Sequence, residues 1–357
     1  MGHKQQHCDY IIVGQGLAGS ILALHLLSAG KRVMVIDNGH AESSSVVAAG
    51  MITPIAGRRL AKSWLLDSAL NYARTFYQSC EQITRGPCFI PKTLYRLFKN
   101  EGEVARFQQR RNDPDYAPYI GTVRPPLTLP RTHADSLGSF DILNGGYLAV
   151  NRFLQATRQQ LIDRDAYQSI IFEYAALQVL PNRVSYLSWS ARDIIFCEGW
   201  KGAQNPWFAW LPFNSAKGNI LTIQTSEPFI DAIYNQRKWI LPTTPDELKI
   251  GATYTRTQLN SIPDAEAKAE LLAALHTLLP DIPDYIVTHH QAGVRPLTID
   301  NRPFIGRHPQ HPRLACFNGF GSKGALHIPY LAKQFVEHLE QGTPVHPECA
   351  IEKRYFN

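Results

Sequence analysis

The spacing of apolar positions changes along the chain. Residues 10–13 form a continuous apolar run, the pattern of a parallel strand buried on both faces. Gly14, Gly16 and Gly19 follow, and then SILALHLLSAG, in which Ile21, Leu22, Leu24, Leu26 and Leu27 are apolar nearly all round. That pattern predicts a helix buried against a sheet, with Gly30 suited to end it. Residues 31–36 predict a second strand. Residues 217–255 alternate with period two, as hairpin strands do, with TTPDE as the turn between KWIL and LKIGATYTR. The helical period returns over residues 263–280, where Leu271, Leu275, Leu278 and Leu279 make an apolar stripe and Pro263 falls in the first turn. Near the C-terminus a strand enters Gly319, Gly321 and Gly324, followed by a helix with Leu331, Phe335, Val336 and Leu339 on one face. Residues 112–130 are rich in proline and predict a loop or lid.

Composition narrows the class. The 357 residues suffice for a large core and two domains, and 44% hydrophobic with 18% charged residues is ordinary for a soluble globular protein. The net charge of +6 is scattered, so it reads as a solvated surface without the basic stripe that a nucleic acid requires. The six cysteines show no paired spacing and read as reduced, mostly buried thiols. The histidines are dispersed, and no metal site is expected. The N-terminus MGHKQQHC is short and polar, unlike a signal peptide, and no membrane span is expected. These features predict a cytoplasmic location.

The first glycine cluster has the order G-x-G-x-x-G between a strand and a helix. Gly14 allows the tight turn, Gly16 admits a pyrophosphate to the backbone, and Gly19 lets helix and strand pack closely. Asp37 ends the second strand 18 residues after Gly19, where an acid can bond ribose hydroxyls. This predicts dinucleotide binding and leaves NAD and FAD open. The segment after Asp37 does not continue the strand–helix alternation of a simple NAD domain. Its Ser44, Ser45, Ala48, Ala49 and Gly50 let a backbone lie against a flat ligand. The second glycine cluster brings another positive helix pole, and with Lys323 it would stabilise the negative charge of a reduced flavin. Arg295, before a proline at a strand end, suits bidentate capture of a carboxylate.

Together, AAGMITP, GVRPLTIDNRPFIGRHP and NGFGSKG resemble the FAD-dependent oxidoreductases of the D-amino acid oxidase and glycine oxidase type. The resemblance spans nearly the whole chain. It implies an α/β fold in which a Rossmann-like FAD-binding domain (1–85, 145–205 and 293–357) is interleaved with a smaller α+β substrate domain (86–144 and 206–292). The substrate domain would be built on a mixed, mainly antiparallel sheet. It assigns Gly14, Gly16, Leu17, Ala18 and Gly19 to the pyrophosphate turn, Asp37 and Asn38 to the ribose, and Ser44 and Ser45 to the pyrophosphate. Ala49, Gly50 and Met51 would run along the isoalloxazine, and Leu177 would touch adenine. Cys197, Glu198 and Gly199 match the strand end beside the pyrophosphate. Gly319, Gly321, Ser322, Lys323 and Gly324 match the loop at the flavin pyrimidine end. Arg295 would bind the substrate carboxylate.

Two positions depart from the family pattern. Relatives that oxidise small amino acids often place Tyr where this chain has Trp239, and Arg near Ser322. An indole N–H is a single donor on a bulkier plane, which leaves substrate identity open. The cysteine that anchors flavin in sarcosine-oxidase-like relatives is replaced by Arg295, so FAD is expected to be non-covalent. The implied chemistry is hydride transfer from the α-carbon of a glycine-, sarcosine- or D-amino-acid-type substrate to flavin N5, giving an imine that hydrolyses. Arg295, Trp239 and Lys323 would set orientation and electrostatics, and oxygen or a quinone carrier would take the electrons. The alternatives are flavin-dependent removal of an N-carboxymethyl group from a modified tRNA base, and a flavin-holding protein without turnover. No interface signature is present, and a homo-oligomer is compatible with the sequence.

Overall fold

The structure, a computed structural model, describes residues 6–40 and 42–355. It is a mixed α/β fold with two large sheets. The first sheet carries the order Tyr167–Ser169, Val33–Asp37, Gln6–Val13, Trp189–Phe196, and these strands run parallel. Residues 10–13 and 33–36 are buried throughout, as a layer covered on both sides requires. The outer edge of Trp189–Phe196 is shared. Its first half pairs antiparallel with Val184–Tyr186, and its last three residues pair parallel with Leu314–Asn318. Phe304–Arg307 completes that edge.

The first helix, Leu17–Ser28, lies against this sheet, and the C-terminal helix, Gly324–Gln341, packs beside it. Gly30 adopts φ +74° just beyond the first helix, the left-handed geometry of a C-terminal stop.

The second sheet is mainly antiparallel. Its order is Tyr285–Arg295, Ala216–Thr225, Glu247–Gly251, Trp239–Pro242, Ile233–Asn235, Leu94–Leu97, Ser139–Ile142, Ile120–Arg124. The turn expected at TTPDE joins Trp239–Pro242 to Glu247–Gly251. Helix Ala265–Leu278 covers one face, burying Leu271, Leu275 and Leu278 against Leu221, Ile223, Leu248 and Ile250. A fully buried leucine of this kind contributes about 2 kcal/mol. Pro263 lies just outside that helix, because Asp264 is the N-cap and accepts from Ala267 N at 2.8 Å. The other oxygen of Asp264 holds Lys217 at 3.3 Å and Asn219 at 3.1 Å, which accounts for a lysine only 2% exposed.

The proline-rich stretch is more ordered than the sequence predicts. Pro114–Tyr119 is a 3-10 helix and Ile120–Arg124 is an edge strand, because Asp113 caps the turn and Arg124 makes a two-pronged ion pair with Asp141 at 3.0 Å. Met51–Ile52, Gly146–Leu148 and Phe89–Pro91 form a small third, antiparallel sheet. All six cysteines are buried and unpaired. Among the described residues no helix is long and apolar enough to cross a membrane, and no cluster could hold a metal ion.

Candidate active site

The carboxyl ends of Val33–Asp37, Gln6–Val13, Trp189–Phe196 and Leu314–Asn318 open on one cavity of about 640 Å³. Parallel α/β sheets bind ligands at such ends. The far wall is the second sheet, which contributes Gly218, Ile220, Trp239, Thr253, Tyr254 and Arg295.

The nucleotide end is built for an anion. Gly14 has φ +98°, and a Cβ there would meet Cys197 O at 2.6 Å. Gly16 caps the first helix without a side-chain hydrogen bond, and the first turn carries no acid. Leu17 N donates to Ser45 Oγ at 3.1 Å, and the positive pole of that helix faces the cavity. The C-terminal helix presents a second start with neither side-chain cap nor acid. Trp200 also lines the cavity, and its indole N–H is buried with no partner among the described residues. Each of these features suits a pyrophosphate-bearing cofactor.

Asp37 lines the cavity at its strand end, as expected. Its carboxylate already accepts from Gln15 N at 2.9 Å and His40 N at 2.8 Å, and Arg158 lies 3.5 Å away. Those bonds fix its rotamer and leave free lone pairs for further donors. Glu198 accepts from Tyr174 at 2.5 Å and Asn205 at 2.8 Å. Burial dominates those bonds and pushes its carboxyl up to about 7.

The opposite end holds Arg295. Its guanidinium lies against Gly218, where a Cβ would meet a guanidinium nitrogen at 2.2 Å, and it donates to Thr253 O at 3.4 Å. No carboxylate pairs with it among the described residues, and burial lowers its affinity for its proton. The indole of Trp239 covers Gly251, where a Cβ would meet the ring at 2.6 Å.

Most positions singled out in the sequence meet in this cavity: Gly14, Gly16, Leu17, Ala18, Asp37, Asn38, Ser44, Ser45, Ala49, Gly50, Met51, Glu198, Gly199, Trp239, Arg295, Gly321, Ser322 and Gly324. Four do not line it. Gly19 packs behind the turn, 1.8 Å from Gly14 O for a hypothetical Cβ, in the helix–strand packing role foreseen for it. Gly319 turns the backbone at φ +79° against Thr298 and Phe304. Leu177 is buried in a core cluster with Tyr186 and Phe196 and does not itself line the cavity. The apolar wall at the nucleotide end is Ile170, Ile171, Phe172 and Tyr174, within the run SIIFEY whose apolar and aromatic content was the available signal.

Lys323 is the fourth. Its ammonium points away from the cavity to Thr53 O at 3.2 Å and Ser63 Oγ at 3.1 Å. Its neighbours Ser322 and Gly324 face the cavity instead. Burial brings its pKa down to about 8. The residue ties the start of the C-terminal helix to the segment after Met51. Sequence reading also missed Thr253 and Gly218, which seat Arg295 and are not adjacent to it in the chain. Among the cysteines only Cys197 lines the cavity, and burial holds its thiol well above the ordinary range.

The family model described as FAD dependent oxidoreductase matches residues 9–338. The chain belongs to that family. FAD is therefore its cofactor, and the double helix-end cradle fits it. The glycine oxidase of Bacillus licheniformis is 24% identical over 357 residues, covering 95% of each chain. The crystal structure of glycine oxidase from Geobacillus kaustophilus superposes with a TM-score of 0.79 at 20% identity, covering 95% of this chain and 96% of that one. A tRNA 5-methylaminomethyl-2-thiouridine biosynthesis bifunctional protein of Aeromonas salmonicida is 24% identical over 90% of this chain and 54% of its own length. Within the FAD-dependent oxidoreductase family, then, this chain keeps the architecture at low sequence identity.

Proposed function

We propose that the protein oxidises a small amino acid or secondary amine whose carboxylate is held by Arg295. The observation that carries this reading is a largely buried guanidinium, aimed into the cavity and lacking a counter-ion among the described residues. A desolvated cation without a partner is costly, and a bidentate carboxylate relieves that cost. FAD, when bound, supplies the two-electron oxidation. Arg295 then fixes the acid group, the Thr253 carbonyl steadies the guanidinium, and Trp239 limits the room beside it. Among the described residues no histidine lines the cavity; the amine must arrive neutral, and orientation is what the protein contributes.

The same reading divides the chain into an FAD part, 1–85, 145–205 and 293–357, and a substrate part, 86–144 and 206–292. The origin of the strands supports it. The first large sheet draws only on the former segments, and the second draws on the latter except at the end of Tyr285–Arg295.

The test is anaerobic mixing of holoenzyme with glycine, sarcosine, proline and panels of D- and L-amino acids, following the visible flavin band. Bleaching by at least one of them is expected, and admission of air then separates oxidase from dehydrogenase. A band that none of them bleaches would sink the reading. The match to the bifunctional tRNA protein favours a second one, oxidation of an N-carboxymethyl group on a tRNA base, and bleaching by such a tRNA alone would select it.

Glu198 gives a pH prediction. Its folded value of about 7 lies above the ordinary 4.5 of a glutamate. The folded state therefore binds the proton more tightly than the unfolded chain between those values. Stability falls as pH rises through that window, and the loss is complete above about 7. Melting temperatures of Glu198→Gln are expected to fall less than wild type between pH 5 and 8. Parallel curves would show that Glu198 does not carry this penalty.

A further inference from the structure

Two arginines line the substrate end of the cavity, and the function proposed above uses only one. Arg237 sits in the turn between Ile233–Asn235 and Trp239–Pro242. It precedes Trp239 by two positions, it is exposed at the turn, and both residues line the cavity. Register relates Arg237 to Arg295. Trp239 pairs with Gly251, and Gly251 pairs with Ile220. Those two strands separate the strand of Trp239 from that of Arg295, and beyond Gly251 the pairing shifts by one, Thr253 N donating to Asn219 O at 3.3 Å, while the Thr253 carbonyl and Gly218 seat the Arg295 guanidinium.

Nothing in the wall between them neutralises either charge. The lining residues there are Gly218, Trp239, Ala252, Thr253 and Tyr254. The cavity's carboxylates, Asp37, Glu42 and Glu198, belong to the nucleotide end, and Glu42 is paired with Lys201 at 2.7 Å. Nearby cations on the same strands are paired. Lys238 has Glu270 at 2.5 Å and Arg96 has Glu103 at 2.8 Å. Arg237 has no hydrogen-bond or ion-pair partner among the described residues.

Two unpaired cations facing one uncharged cleft repel each other and attract a doubly charged anion. We propose that the substrate is a dianionic amine: one carboxylate on Arg295 beside the reacting carbon, and a second acid group several bonds away on Arg237. N-carboxyalkyl amino acids and amino acids with an acidic side chain have this form. The inference rests on the assignment of the first carboxylate to Arg295, and it makes Arg237 the residue that selects the distal group.

The experiment is calorimetric titration of holoenzyme with non-reacting acids, from malonate to pimelate, each compared with its own monoamide. The monoamide keeps the length and removes one charge. At low salt the best diacid is expected to bind about five- to twentyfold more tightly than its monoamide, and in Arg237→Gln that ratio is expected to fall to about two, the statistical advantage of two equivalent ends. A wild-type ratio of about two or less at every length, or a ratio that survives in Arg237→Gln, would overturn the proposal. Arg295→Gln tests the foundation separately. Loss of binding by diacid and monoamide alike supports Arg295 as the primary site. Undiminished monoamide binding in Arg295→Gln, or no binding of any acid by wild type, would overturn the Arg295 assignment and this inference with it.

Discussion

Replacing Arg295 with methionine is expected to abolish most activity while raising the melting temperature. The two effects share one cause. The guanidinium is largely buried, leans on Gly218 and has only a long hydrogen bond to Thr253 O. Without substrate it is a desolvated charge that the fold must tolerate, and an apolar side chain of similar length removes that cost. Exchanges of buried charge for apolar groups gain roughly 1–4 kcal/mol, or several degrees. With substrate the same charge is the anchor. Removing one partner of a buried, hydrogen-bonded ion pair costs about 2–5 kcal/mol, which is roughly thirty- to several-thousand-fold in kcat/KM. Arg295→Lys should recover only part, since a point charge cannot reproduce the planar fork. Thermal melts and steady-state kinetics on the same preparations decide the matter. If Arg295 were a structural strut, methionine would lower the melting temperature, and that outcome would reject the anchoring role.

Gly19→Ala is expected to give a protein that retains little FAD and melts far below wild type. The added Cβ would lie 1.8 Å from Gly14 O and 3.3 Å from the Ile12 side chain. The first clash is with backbone, so no rotamer change can relieve it. The strand, the turn and the helix must separate, a distortion costing at least the 1–3 kcal/mol typical of overpacking. Two controls place the effect. Gly16→Ala meets only Ser45 Oγ at 3.1 Å, a hydroxyl that can turn away. It should fold and lose FAD affinity, because its Cβ points where the pyrophosphate approaches. Gly30→Ala has open space and suffers only its positive φ, a cost of about 1 kcal/mol. Flavin-to-protein absorbance after gel filtration and melting curves should rank the variants in that order. Full flavin content in Gly19→Ala would refute the packing argument.

The comparison of Gly19 with Lys323 shows what the sequence could reveal. The turn from Gly14 to Gly19 is local: its residues touch one another, so spacing alone determines who meets whom. The small residues from Ser44 to Gly50 suggested a backbone lying against a flat ligand, whereas Glu198 and Gly199 were assigned only through the family resemblance; all of them but Val46 line the cavity. Lys323 sits at the N-cap of a helix, where its side chain could go either way. The Thr53 carbonyl and the Ser63 hydroxyl, far away in sequence, decided its direction. Leu177 lies in the core because a strand residue has two faces and only the tertiary packing selects one. Gly218 and Thr253 went unnoticed because their role exists only once three strands align beneath Arg295. The proline-rich stretch was read as loop, yet its prolines fit a 3-10 turn and the ion pair of Arg124 with Asp141 secures the strand that follows.

The divided edge of Trp189–Phe196 bears on how the chain can be made. Its final residues wait for Leu314–Asn318, and Asn318, which also borders the cavity, donates to Gly199 O at 2.9 Å. During synthesis the first strand, the glycine turn and the middle strand all leave the ribosome well before that partner exists. The nascent molecule thus carries an open, apolar sheet edge through about a third of its translation, the kind of surface that chaperones cover and that aggregates if left alone. Closure of the cofactor cradle is consequently among the last events of folding. A chain cut before residue 314 would be unable to complete it, however well its first half were formed.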